Sequence, residues 1–139
     1  WGNYEGPHHH DVPLRDIVDT VLTARPAGLS FEAANPRHAH EYKVLAEVDL
    51  PDHKVLFPGV LDTTTNYIEH PDLIADRICN FADIVGRERV IAGTDCGFST
   101  IAGAPLVDPE IVWAKFAAMA EGAALASRRL WRSRGGAGQ

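Results

Sequence analysis

The stretch Arg89-Val90-Ile91-Ala92-Gly93-Thr94-Asp95-Cys96-Gly97-Phe98-Ser99 decides the fold. The apolar run Val90-Ile91-Ala92 predicts a buried strand over 90–96, ending in the polar and reactive residues Thr94, Asp95 and Cys96, with Gly97 allowing the backbone to turn. A strand whose C-terminal end carries a thiol and a carboxylate is where open α/β sheets and barrels place their chemistry. Two other stretches read the same way. Residues 27–33 predict a short strand ending at Glu32, and 54–62 a strand ending at Asp62. Pro58 within the latter requires a place where no ladder donor is needed.

Helical patterns lie between these strands. Leu14, Ile17, Val18, Val21 and Leu22 form one apolar stripe after Pro13. A polar helix is expected from His38 to about Ala46, with Tyr42 and Leu45 inward and both His38 and His40 solvated. His70-Pro71-Asp72 opens a helix with Ile74, Ile78, Phe81 and Val85 on its buried side and Gly86 beyond its end. Asp108 is a natural cap, and Pro109 a natural first residue, for a long helix to about Trp131, rich in alanine. On that helix Trp113, Phe116 and Met119 read as packing residues. Cys79 reads as a half-buried structural thiol.

Strands alternating with helices indicate βαβ units and a parallel sheet. Three such strands leave both sheet edges open, and an open edge is a template for association. The expectation is the C-terminal part, about three strands, of a (β/α)8 TIM barrel over 1–131, with a disordered tail over 132–139. Such a piece needs the N-terminal barrel half or self-association.

The 139 residues suit one domain at most, with 45% hydrophobic and 23% charged residues. Net charge is −6 and the thirteen basic residues are scattered, against a nucleic-acid surface. The one dense basic group, 128–134, falls at a helix C-terminus, where cations suit the dipole. No apolar run approaches the roughly 20 residues that span a bilayer, and residues 1–5 do not read as a signal peptide. Two cysteines are too few for a disulfide scaffold, so reduced thiols and a cytoplasmic location are expected. The first residue is not Met, as expected of a fragment. His8-His9-His10-Asp11 reads as a mobile or substrate-facing loop. There is no phosphate-binding glycine loop and no nucleophile elbow.

In a parallel barrel, Glu32, Asp62, Asp95 and Cys96 share one face. A thiolate and a carboxylate on neighbouring strand ends are competent zinc ligands; the alternative is a buried apolar Cys96 beside a paired Glu32. Taken in order, the Glu32 strand, Pro58-Gly59-Val60-Leu61-Asp62, Ile74-Ala75-Asp76-Arg77-Ile78 and Asp95-Cys96-Gly97 resemble the C-terminal catalytic domain of cobalamin-independent methionine synthase and its shorter relatives, over nearly the whole chain.

The resemblance implies a zinc-dependent methyltransferase of methionine biosynthesis, moving a methyl group from a methylated folate to the zinc-bound thiolate of homocysteine. Glu32 and Cys96 match two metal ligands, and a His-x-Cys pair of the family falls just upstream of Trp1. Asp62 and Asp95 match positions at the reaction centre. Trp1, Asn3 and Thr64 match the substrate-binding region. At Thr64 the methionine synthases carry a proton-transferring His, and a threonine cannot supply a proton near neutral pH. Transferases that open epoxides with a thiol belong to the same superfamily and are the alternative, as is a non-catalytic half-barrel that needs an N-terminal partner.

Overall fold

The computed structural model describes every residue except Asn3, Tyr4, His8, Thr100, Ile101, Pro105 and 133–139. Helix α1 spans Leu14–Leu22, β1 Gly28–Phe31, a 3-10 helix Glu41–Ala46, β2 Val55–Leu61, α2 Pro71–Val85, β3 Gly93–Thr94 and α3 Pro109–Arg132. The three strands form a parallel sheet in the order β1-β2-β3. Of the disordered tail expected over 132–139, Arg132 is instead the last residue of α3, and 133–139 lie outside the described residues.

The helix boundaries follow local chemistry. His70 caps α2 through its Nδ1, which accepts from the Asp72 amide at 3.1 Å, and Pro71 is the first helical residue. Gly86 ends α2 at φ 88°, a backbone region that L side chains rarely enter. Asp108 caps α3, its Oδ1 accepting from the Glu110 amide at 2.8 Å. Helix α1 lacks a side-chain cap from Pro13. Glu41 serves instead from the 3-10 helix, accepting from the Leu14 amide at 2.7 Å.

The core has two parts that meet at Val90. One packs α1, the 3-10 helix and the end of α2 against Leu56, with Phe31 and Tyr42 edge-on to Phe81. The other packs Val60, Leu61, Ile74, Ala75 and Ile78 against Ala118 and Ala126 of α3. Full burial of each large apolar side chain contributes about 1.5–3 kcal/mol. Helices α2 and α3 approach closely because of Gly122: a Cβ there would lie 2.6 Å from Ile74 Cβ.

Four expectations are corrected. The strand predicted over 90–96 is paired only at Gly93–Thr94, with an isolated bridge from Val90 to Leu56, and Ile91 is 48% exposed. As an edge strand it has, among the described residues, no strand on its far side to bury that run. Residues 38–40 are turn rather than helix, and the helical part is a 3-10 helix that begins at Glu41. His38 is 4% exposed rather than solvated, because two carboxylates and an indole enclose it. Of the three expected packing residues Trp113 is 72% exposed, whereas Phe116 lies edge-on to Phe98 at 5.4 Å and Met119 packs against the second part of the core. Pro58 sits between the Leu56–Val90 bridge and the Gly59–Gly93 pair, where no residue of the third strand pairs with it.

Candidate active site

The C-terminal ends of β1, β2 and β3 gather the polar residues expected from the sequence. Asp95 organises them. Its Oδ1 accepts from the amides of Ala33 at 2.9 Å and Ala34 at 2.8 Å, and its Oδ2 from the Asn35 amide at 2.9 Å. One carboxylate thereby ties the loop after β1 to the end of β3. Burial pushes the Asp95 carboxyl above its ordinary value, against the pull of these three amides. Gly59 makes the approach possible, since any Cβ there would meet the Asp95 backbone at 2.7–2.8 Å. Arg77 of α2 braces the same loop, donating to the Val60 carbonyl at 2.9 Å and the Ala34 carbonyl at 3.1 Å.

Held in this way, Glu32 and Cys96 meet. Cys96 Sγ lies 3.1 Å from Glu32 Oε1, and Asn35 Nδ2 donates to Glu32 Oε2 at 3.2 Å. Thr94 Oγ1 donates to the Cys96 carbonyl at 2.7 Å and shapes the turn. Burial, followed by the hydrogen bond to Glu32 and its negative charge, pushes the Cys96 thiol up to about 12. Without a cation, Cys96 is therefore a protonated thiol donating to a carboxylate. Sulfur and oxygen donors this close are within reach of a single ion. Among the described residues no group of three or more His, Cys, Asp or Glu side chains is gathered as a metal site.

Asp62 is fixed separately. Its Oδ1 accepts from the Thr64 amide and hydroxyl at 3.2 and 3.0 Å, and its Oδ2 from the Thr65 hydroxyl at 2.7 Å. Burial acts upward on this carboxyl, but the threonine hydrogen bonds and nearby Lys115 outweigh it and hold Asp62 below the usual range. Beneath it, fully buried Lys115 pairs with Glu69 at 2.8 Å and donates to the Asp62 carbonyl at 3.1 Å, while Glu69 accepts from the Asp62 amide at 2.8 Å. The β2 end is thus pinned to α3.

A cleft of about 270 Å³ opens between these groups. Asp62, Thr64 and Thr65 line one wall, Asn35, Pro36, Arg37 and Asp95 another, and Gly2, Glu5 and Gly6 a third. Asn35 and Asp95 adjoin the Glu32–Cys96 pair. Trp1 is placed elsewhere: its ring stacks on His38 at 3.9 Å and its Nε1 donates to the Val12 carbonyl at 2.6 Å. Asn3 and His8 lie outside the described residues. His70 is committed to the α2 cap. Sequence reasoning missed Asn35, Glu69, Arg77 and Lys115. Lys115, a lysine on a helix otherwise lined by small residues at the packing face (Ala118, Gly122, Ala126), carried the only visible signal.

The fold and strand ends define an α/β segment with its polar groups at the C-terminal edge of a parallel sheet. The structure matches that of a B12-independent methionine synthase from Shewanella sp. W3-18-1, solved in complex with selenomethionine, with a TM-score of 0.70 and 19% identity. The match covers 84% of this chain and 31% of that one, so the chain spans about a third of its structural neighbour. The resemblance drawn from the sequence is therefore matched in the fold. No protein-family model matches the chain, and no curated protein matches it in sequence. No helix among the described residues is long and apolar enough to cross a membrane.

Proposed function

We propose that this chain is the C-terminal part of a (β/α)8 barrel enzyme that transfers a methyl or alkyl group to a thiol. The carrying observation is the 3.1 Å approach of Cys96 to Glu32 across 64 residues. The fold likeness to a methionine synthase supports the methyltransferase reading. Glu32 and Cys96 would hold zinc with ligands from outside the described residues. When bound, zinc acts as a Lewis acid that keeps a substrate thiol deprotonated at neutral pH. Holding the metal would require Cys96 to give up to solvent the proton that it keeps in the metal-free protein. Asp95 and Asn35 hold the Glu32 loop in place. Asp62, ionised at neutral pH, faces the cleft as a partner for a cationic group of the substrate. Homocysteine and a methylated folate are the proposed reactants, in methionine biosynthesis and in the cytoplasm.

Thr64 favours a second reading. Its hydroxyl donates to Asp62 at 3.0 Å and offers no group that exchanges protons near neutral pH. Epoxide opening by a thiol fits a cleft of that kind. In either case the remaining strands come from an N-terminal barrel half or from self-association, which would cover the open edges of β1 and β3.

The test is zinc stoichiometry after dialysis against a weak chelator, in the longest natural form of the protein. About one zinc per chain, lost in Cys96→Ser, is expected, followed by thiol alkylation with methyl donors or epoxides. Absence of zinc from both proteins overturns the reading.

A further inference from the structure

Asn35 uses every hydrogen-bonding position of its side-chain amide. Oδ1 accepts from the backbone amides of Arg37 at 3.0 Å and His38 at 3.1 Å. Nδ2 donates to Glu32 Oε2 at 3.2 Å and to Asp95 Oδ2 at 3.4 Å. Two N–H groups meet the oxygen and two carboxylates meet the NH2 group, so the amide has a single orientation. Turned over, it would set its oxygen against two carboxylate oxygens and its N–H groups against two others. The backbone beneath this side chain is fixed independently. The Asp95 carboxylate accepts from the amides of Ala33, Ala34 and Asn35, and Arg77 donates to the Ala34 carbonyl. The NH2 group therefore reaches Glu32 from a rigid base.

Glu32 is a rotamer-rich side chain that orders only where its carboxylate is held. Its Oε1 meets the Cys96 thiol at 3.1 Å and its Oε2 meets Asn35. These two contacts differ in kind. A sulfur bound to a metal has no hydrogen to donate, so the thiol contact cannot coexist with an ion shared by the pair. The Asn35 contact can, because it engages the other carboxylate oxygen. We propose that Asn35 is a positioning residue: it holds Glu32 Oε2 and thereby keeps Oε1 turned toward the sulfur of Cys96. This role goes beyond holding the loop, and it rests on the reading of Glu32 and Cys96 as metal donors. Without the NH2 group the carboxylate is free to turn away from the sulfur.

The test uses Asn35→Ser. Serine keeps an acceptor for the Arg37 and His38 amides and lacks the NH2 group that reaches Glu32. The first readout needs no metal: alkylation of Cys96 by iodoacetamide in the full chain, in a Cys79→Ala background. Asn35→Ser is expected to speed it several-fold. The double variant Asn35→Ser/Glu32→Ala is expected to react no faster than Glu32→Ala alone, because Asn35 acts through Glu32. A rate at or below wild type in Asn35→Ser overturns the proposal. So does equal acceleration with and without Glu32, which marks a general loosening of the loop. The second readout is zinc affinity, by competition with a chromophoric chelator in the longest natural form of the protein. Asn35→Ser is expected to bind zinc about 10–100-fold more weakly than wild type, and an unchanged affinity overturns the role toward the metal. If wild type itself holds no zinc, the alkyl-transfer reading fails, and the alkylation cycle still decides whether Asn35 holds Glu32.

Discussion

A Cβ built on Gly59 would lie 2.0 Å from Oδ1 of Asp95. The contact explains why glycine stands in the middle of β2: the Asp95 carboxylate must cross that strand to reach the amides after β1. Gly59→Ala forces Asp95 away and unhooks three hydrogen bonds at once. Overpacking of this kind costs about 1–3 kcal/mol. Urea denaturation is expected to show that loss, and wild-type stability in Gly59→Ala would refute the account.

Cys96 should be unreactive in the metal-free protein. Its thiol, pushed up to about 12 by burial and by Glu32, holds its proton at neutral pH. Glu32→Gln removes the negative neighbour and should speed alkylation of Cys96 by iodoacetamide, read by mass spectrometry in a Cys79→Ala background. An unchanged or slower rate would contradict the electrostatic argument.

The same shift fixes a sign for stability. The folded state holds the Cys96 proton more tightly than an unfolded chain, whose thiol has the ordinary value of 9. That contribution is fully present below about pH 9 and is lost as pH rises toward 12. Cys96→Ala should flatten the alkaline limb of the stability profile.

Lys115 and Glu69 form a buried pair, at 0% and 8% side-chain exposure. Removing one partner of such a pair costs about 3–5 kcal/mol, because the other charge is left without compensation. Lys115→Met should approach that figure. The double variant Lys115→Met/Glu69→Gln keeps an acceptor for the Asp62 amide and should recover much of the loss. Equal stability of the single and double variants would argue against the pair.

Gly122→Ala tests the helix contact. The added methyl meets Ile74 at 2.6 Å and must push α3 from α2. A drop of about 1–3 kcal/mol is expected, with no rescue by Ile74→Val, because valine keeps the Cβ and Cγ2 atoms that make the contact. A stability equal to wild type would show that the two helices can separate freely.

Much of this was readable before any coordinates. Pro71, Gly86, Asp108 and Pro109 announce helix ends through local backbone chemistry, and that chemistry needs no partner. The polar ends of the strands were likewise visible, because Glu32, Asp62 and Asp95 each follow an apolar run. What escaped were groups whose role depends on distant chain. Lys115 stands on the small-residue face of α3, but its role is not legible until Glu69 is placed beneath it. His38 reads as solvated until Asp11, 27 residues earlier, folds over it. The third strand was overestimated because Val90-Ile91-Ala92 has strand-like composition, whereas pairing depends on a neighbour.

The strand order β1-β2-β3 repeats the order of synthesis. Each strand docks beside the one made just before it, across a connection that closes a modest loop, so no late segment must thread between two earlier ones. Assembly can then proceed from the first strand onward as the polypeptide emerges, each layer offering a finished edge to the next. A sheet built this way grows by addition, each new strand pairing with the edge left by the last.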